Sequence, residues 1–224
     1  YSNTYNSGGN LARRIDDDQR IQLSASHYNA DQDSDYTADP GVARLPAGSV
    51  PAQALSGLSL DEQNQIKNTL LNLEYAHADV LGGTLNAQLY YRDYFTRFTP
   101  FDARGVATRG RNVDQVMQNS EVFGSRVTLR TPLGEAGATE LLWGADFNQE
   151  RSDMPIDIFD PGLYDASGGR VYEKIGRLTY MPDLTTRSLG GFAQLQHRFN
   201  EQWSMEGGVR YEYATARYLS LIHI

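Results

Sequence analysis

The sequence predicts an all-β chain: an antiparallel, up-and-down segment of a transmembrane β-barrel with about seven or eight strands, long extracellular loops and short periplasmic turns. Three observations predict it. Six stretches place uncharged, mostly apolar residues at every second position. The connections between them alternate long and short. The walls opposite the apolar ones carry Arg92, Arg126, Arg130, Glu140, Asp146, Glu150, Arg198, Glu206, Arg210 and Glu212. Side chains on a strand point to alternate faces, so each stretch has one apolar and one polar wall. A wall bathed in hydrocarbon must stay free of charge, and a dry core cannot hold so many ions, so the polar wall lines a wet lumen.

Taken in order, Tyr1 to Ile15 reads as a descending strand closed by a tight acidic turn at Asp16, Asp17 and Asp18. Ile21, Leu23 and Ala25 then alternate with Gln22, Ser24 and Ser26. From about Asn29 to Gln63 the chain carries Pro40, Pro46 and Pro51, which cannot donate to a ladder, so a loop is expected there. Thr69, Leu71, Leu73 and Tyr75 resume the alternation, and a turn with Gly82 and Gly83 leads to Leu85, Ala87, Leu89 and Tyr91. A long arginine-rich connection is expected from about Thr96 to Gln118. Phe123, Val127 and Leu129 form the next apolar wall, followed by the Thr131-Pro132-Leu133-Gly134 turn and the strand of Leu141, Trp143, Ala145 and Phe147. Another long connection is expected from about Arg151 to Asp183. Leu189, Gly191, Ala193 and Leu195, a turn at Asn200, and a last strand with Trp203, Met205, Val209, Tyr211 and Tyr213 complete the series. Tyr75, Tyr91, Phe147, Tyr211 and Tyr213 lie toward the strand ends, where amphipathic rings favour the headgroup level.

Bulk properties exclude several classes. The 224 residues carry a net charge of −8, which argues against a nucleic-acid partner. With no Cys, disulfides, thiolate metal sites and cysteine nucleophiles are excluded. Mean hydropathy is −0.53, as expected where half of each strand faces water. The chain opens at Tyr1 with neither an initiator Met nor a signal-peptide pattern, so it is expected to be a fragment or a processed product.

The run Phe192-Ala193-Gln194-Leu195-Gln196-His197-Arg198-Phe199-Asn200, then Gln202-Trp203-Ser204 and Gly208-Val209-Arg210-Tyr211, resembles the barrel of TonB-dependent outer-membrane receptors, and Trp143-Gly144-Ala145-Asp146-Phe147 resembles a strand of that family entering an extracellular loop. The resemblance runs over nearly the whole chain. It implies a barrel of 22 strands around an N-terminal plug, importing a ferric siderophore or cobalamin with energy from an inner-membrane TonB complex. Residues 1–224 would then be a partial barrel domain, with the plug and TonB box absent and the TonB complex engaged through that missing N-terminal region. The location implied is the bacterial outer membrane, with lipid and lipopolysaccharide as neighbours. Leu219 to Ile224 depart from the family pattern.

No GxSxG elbow, P-loop or HExxH occurs, and His27, His77, His197 and His223 fall on separate elements, so no enzyme and no metal or cofactor site is expected. Asp31, Asp33 and Asp35 imitate the opening of a calcium loop, but Tyr36 and Val42 stand where the turn Gly and the bidentate Glu belong. The favoured ligand surface is the loop with Tyr94, Arg97, Phe98, Phe101, Arg104, Arg109 and Arg111, because guanidinium and aromatic groups suit an anionic, partly aromatic ferric siderophore. Tyr164, Arg170 and Tyr172 form a second candidate; in either loop the arginines can instead bridge acidic neighbours. A passive porin-like barrel and a soluble β-rich binding module are the alternatives.

The face assignment is testable in the intact receptor. Leu195→Arg is expected to impair assembly into the outer membrane while Gln196→Arg is tolerated, since arginine near the midplane costs roughly 2–4 kcal/mol. Equal tolerance of the two, measured by surface yield and heat-modifiable gel migration, would reverse the inside–outside assignment.

Overall fold

A computed structural model describes residues 2–32, 59–106, 110–134 and 138–218. Its strands are β1 (Ser2–Arg14), β2 (Gln19–Gln32), β3 (Asn64–Val80), β4 (Gly83–Arg97), β5 (Phe101–Asp102), β6 (Val113–Leu133), β7 (Thr139–Phe159), β8 (Lys174–Arg198) and β9 (Ser204–Tyr218), with one short helix, α1 (Pro161–Ala166). The sheet runs β1-β2-β3-β4-β6-β7-β8-β9, every neighbouring pair antiparallel, with two-residue β5 paired to β6 alone. It is an open wall with β1 and β9 at its edges. The N-terminal stretch is indeed an eighth long strand, β1, paired with β2 from Ser2↔Gln32 to Arg14↔Arg20.

The two-residue repeat keeps one phase across the wall. One ladder row runs Leu11, Leu23, Leu73, Leu89, Ser125, Phe147, Leu189 and Tyr213; the row below it contains Ile21, Tyr75, Ala87, Val127, Ala145, Gly191 and Tyr211. All are odd-numbered, and among the large apolar residues Leu189, Val209 and Tyr211 are 57%, 76% and 75% exposed. From β2 to β9 this face carries no Asp, Glu, Lys or Arg between the row of Leu133 and the row of Phe123, apart from Arg187 in the Phe123 row itself and the turn residues Asp79 and Glu201 at the lower margin. Those rows lie roughly 33 Å apart along β6 at 3.3 Å per residue. Tilted by about 45°, that is a band about 23 Å tall, close to the height of the lipid-facing belt of a membrane barrel. Leu195 lies toward the lower edge of this band, so an arginine there meets the smaller end of the depth-dependent penalty.

The short turns are held by local chemistry. Asp16 accepts hydrogen bonds from the Asp18 and Gln19 N–H groups (3.0 and 2.8 Å), and Asn200 accepts from those of Gln202 and Trp203 (both 2.9 Å). The β3–β4 hairpin turns on Leu81 and Gly82, with φ of +56° and +75°. Both central residues are left-handed, the arrangement whose twist suits a two-residue hairpin.

The long connections are shorter than the alternation alone implies. β2 reaches Gln32 and β3 starts at Asn64; β4 runs to Arg97 and β6 starts at Val113; β7 runs to Phe159 and β8 starts at Lys174. The stretch from Arg151 to Asp183 is therefore mostly strand. It reads as loop because Pro155 and Pro182 fall inside strands and the β7–β8 register shifts at Ser152/Met154, Met154/Pro155 and Ile158/Phe159. Bulges break the period, and above the band neither face has to be apolar.

Leu81 pays for its left-handed backbone with a β-carbon clash that Asn relieves. Leu81→Asn is expected to stabilise the intact barrel by about 0.5–1 kcal/mol, read as a higher urea midpoint in detergent; an unchanged or lower midpoint would contradict the turn geometry.

Candidate functional site

Two groups of side chains occupy the long-loop end, on opposite faces of the wall. The first is a loop knot. Val113, Phe159, Tyr164 and Tyr172 are buried together with Leu60 packed against them. Tyr172 meets both Phe159 and Tyr164 with ring centroids 5.3 Å apart. Asp160 caps α1 by accepting from the Gly162 and Leu163 N–H groups (2.7 and 3.0 Å), which presents Tyr164 inward. Ser59 donates to the Arg170 carbonyl (2.7 Å) and accepts from the Tyr172 N–H (2.9 Å), so the segment before β3 is stitched to the segment before β8.

Charge closes the knot. Arg104 bonds Asp102 (2.8 Å) and Asp165 (2.7 and 2.8 Å), and its guanidinium lies 5.5 Å from the Tyr164 ring centre. Hydrogen bonds from Arg104 hold both carboxyls below their ordinary range and raise the guanidinium above its own. Asp157 is 2% exposed; burial opposes its ionisation, but Arg177 (2.6 Å) and Lys174 (2.8 Å) together outweigh that and keep its carboxyl below the usual value. Gln115 donates to the carbonyls of Glu62 and Phe98 (both 2.9 Å), and Arg97 pairs with Glu62 at 3.1 Å. A cavity of about 370 Å³ remains between Glu62, Gln115, Asp157, Tyr172, Lys174 and Arg177. Counted in twos along β6 and β7, Val113, Gln115, Asp157 and Phe159 share the odd face that carries Phe123 and Phe147 lower down.

The even face carries the second group. Tyr90, Arg92 and Tyr94 climb β4 on the side of Glu74, Arg126 and Asp146. Tyr90 lies across β6 and its hydroxyl reaches Asn148 on β7 (3.2 Å); a β-carbon at Gly124 would collide with its ring. Arg92 is exposed, and in the same row two strands across the wall Glu150 accepts from Ser120 (2.8 Å). Tyr90, Arg92, Asn148 and Glu150 line an open recess of about 460 Å³ with Asn72, Gln88 and Val122. Below it lies a belt of charge: Arg210 on β9 passes over Gly190 to bond Asp146 on β7 at 2.7 and 2.9 Å, with Glu212 at 3.1 Å and Arg126 at 4.0 Å from the same cluster. A β-carbon at Gly190 would sit 2.5 Å from the Arg210 guanidinium.

Of the residues singled out in the sequence, only Tyr94 stands on the even face of the strands, two residues along β4 above the recess. Arg97, Arg104, Tyr164 and Tyr172 are engaged within or beside the knot, and Arg170 donates to the Ser167 carbonyl (2.8 Å). Phe98 and Phe101 are exposed on the connection, Arg111 is exposed with φ +60°, and Arg109 lies outside the described residues. Sequence reasoning placed Arg92 on the polar face but did not single out Tyr90 or Arg92 as ligand groups; their even numbering was the available signal. Asp31 accepts from Asn29 (3.1 Å) and Gln65, whereas Asp33, Asp35 and Leu219 to Ile224 lie outside the described residues. His197 shares a 2.7 Å hydrogen bond with Thr139 and packs its ring 4.5 Å from that of Phe199.

Comparison with known proteins places these features. The family described as TonB dependent receptor-like, beta-barrel, matches residues 4–220. The rhizobactin receptor of Rhizobium meliloti is 29% identical over 92% of this chain and 27% of its own length. The ferric aerobactin receptor of Klebsiella pneumoniae is 28% identical over 95% of the chain and 29% of its own. The chain thus spans under a third of these relatives. The ferripyoverdine receptor of the outer membrane of Pseudomonas aeruginosa superposes with a TM-score of 0.64 at 12% identity, over 97% of this chain and 31% of that one.

The Arg104 clamp gives a pH prediction. Asp102 and Asp165 ionise at lower pH in the folded loop than in an unfolded chain, so their contribution is complete above about pH 4 and fades as pH falls through the depressed native values. Protease protection of the 98–106 and 160–173 connections should hold from neutral pH to about pH 4 and drop below it, and Arg104→Ala should remove that protection already at pH 7. Protection in Arg104→Ala equal to the parent would discard the clamp.

Proposed function

Because this chain belongs to the TonB-dependent receptor β-barrel family, we propose that it forms eight strands of a receptor that imports a ferric siderophore. The family is a family of receptors and transporters, located in the bacterial outer membrane. The observation that carries the proposal is the likeness, along nearly the whole chain, to receptors for rhizobactin and ferric aerobactin. The function is binding and translocation with no covalent step. The remainder of the receptor supplies the plug and the TonB-engaging box, and lipid covers the odd face.

The geometry supports a particular division of labour. A ligand descending through the barrel meets the even face. There Arg92 offers a charged fork to an anionic chelate, and Tyr90 and Tyr94 offer rings and hydroxyls. The Arg104 knot stands on the other side and frames the rim.

Labelled ferric siderophore uptake by the full-length receptor in iron-starved cells, with and without TonB, tests the reading. Uptake should require TonB; uptake indifferent to it would make the barrel a passive pore. Arg92→Ala should weaken binding about tenfold to a hundredfold, the worth of one charge-assisted hydrogen bond, whereas Arg104→Ala should leave affinity nearly unchanged. The reverse ranking would return the ligand to the loop knot.

A further inference from the structure

The recess on the even face holds a cation and a carboxylate that do not meet. Arg92 on β4 and Glu150 on β7 are the register partners of Val122 on β6, one on each side, and all three line the recess. Neighbouring strands lie about 4.8 Å apart, so the two backbones stand roughly 10 Å from one another. Among the described residues neither Arg92 nor Glu150 makes an ion pair; Glu150 accepts from the neutral Ser120 hydroxyl (2.8 Å). Elsewhere on the same face a cation and a carboxylate two strands apart do close: Arg210 reaches Asp146 at 2.7 and 2.9 Å over Gly190. The difference lies in the middle strand. Gly190 leaves the line between the two groups clear, whereas the branched side chain of Val122 stands in it.

A recess lined in this way is balanced in charge. A purely anionic solute gains Arg92 and is opposed by Glu150; a purely cationic one meets the reverse. Only a solute that carries both signs, spaced to match, satisfies both ends at once. Between the ends Val122 and the Tyr90 ring offer an apolar step, and the volume of about 460 Å³ lies within the range of small-molecule sites.

We propose that Arg92 and Glu150 select a zwitterionic ferric chelate, with a carboxylate arm on Arg92 and a protonated primary amine on Glu150, the two arms roughly 10 Å apart. A guanidinium pairs with a carboxylate through two parallel hydrogen bonds, and an ammonium gives a carboxylate a charge-assisted bond of its own. Glu150 is then a specificity-determining residue: it rejects chelates that are anionic throughout and accepts those with a matching amine. The inference rests on import of a ferric chelate through the lumen and adds the charge pattern that this chelate carries.

The test titrates the full-length receptor in detergent, by isothermal calorimetry, with three synthetic ferric trihydroxamate chelates whose metal core is uncharged. One carries a carboxylate and a primary ammonium about 10 Å apart. In the second the amine is acetylated, and in the third the carboxylate is a methyl ester. The zwitterionic chelate should bind at least about tenfold more tightly than either of the others. Glu150→Gln should erase its advantage over the acetylated chelate and keep its advantage over the ester; Arg92→Gln should do the opposite. A merely structural role for these residues would lower all three affinities together, and that result would overturn the selection. So would equal binding of the zwitterionic and acetylated chelates by the parent receptor, which decides the matter without any variant, and so would binding of none of the three. Failure of the import reading is separate. Uptake of the labelled zwitterionic chelate that ignores TonB, with the binding order intact, would remove energy-coupled import and leave the selection standing.

Discussion

Backbone pairing in a medium without water is the constraint on which the rest of this structure depends. Inside hydrocarbon every N–H and C=O must find a partner within the protein, so the strands are bound into continuous antiparallel ladders. Once paired, they share a phase. A slip of one residue in any ladder would turn Asp146, Arg210 and Glu212 toward lipid and Trp203 and Val209 toward water. The hydrophobic band fixes the register, the register fixes the polar wall, and the polar wall fixes which residues a solute in the lumen meets.

The polar wall has its own logic. Twice, a side chain spans from one strand to the next but one by crossing a glycine. Arg210 reaches Asp146 over Gly190, and Tyr90 reaches Asn148 over Gly124. These bridges tie β9 to β7 and β4 to β7 in addition to the backbone ladders. They leave the lumen surface charged yet internally paired, which limits how strongly it attracts solutes below the recess. Higher up, Arg92 makes no ion pair among the described residues.

The parts of the wall inside the band were legible in the sequence because period-two alternation there is enforced by two different solvents. The turns were legible too, since Asp16 and Asn200 act on neighbours two or three residues away. Above the band the signal fades for physical reasons. With water on both sides the alternation is no longer selected, and Pro155, Pro182 and three register shifts disrupt what remains. The loop knot was hidden because its contacts join residues far apart in the chain: Arg104 and Asp165 are separated by 61 positions. Several of the aromatic and cationic loop residues singled out as ligand candidates also hold the loops together. Position relative to the strand phase separates Tyr94 from Tyr164 better than residue type does.

The height of β7 has a further consequence. From Gln149, at the top of the apolar band, to Phe159 the strand climbs roughly ten residues, or about 23 Å after tilt. At physiological ionic strength the Debye length is about 8 Å, so the rim stands about three screening lengths above the lipid phosphates. An anionic solute arriving there is almost free of the repulsion that the membrane surface exerts on it. The projecting strands thus let a receptor in a strongly negative membrane sample bulk solution at close to its bulk concentration, and the same solute feels the membrane's charge only after the wall has enclosed it.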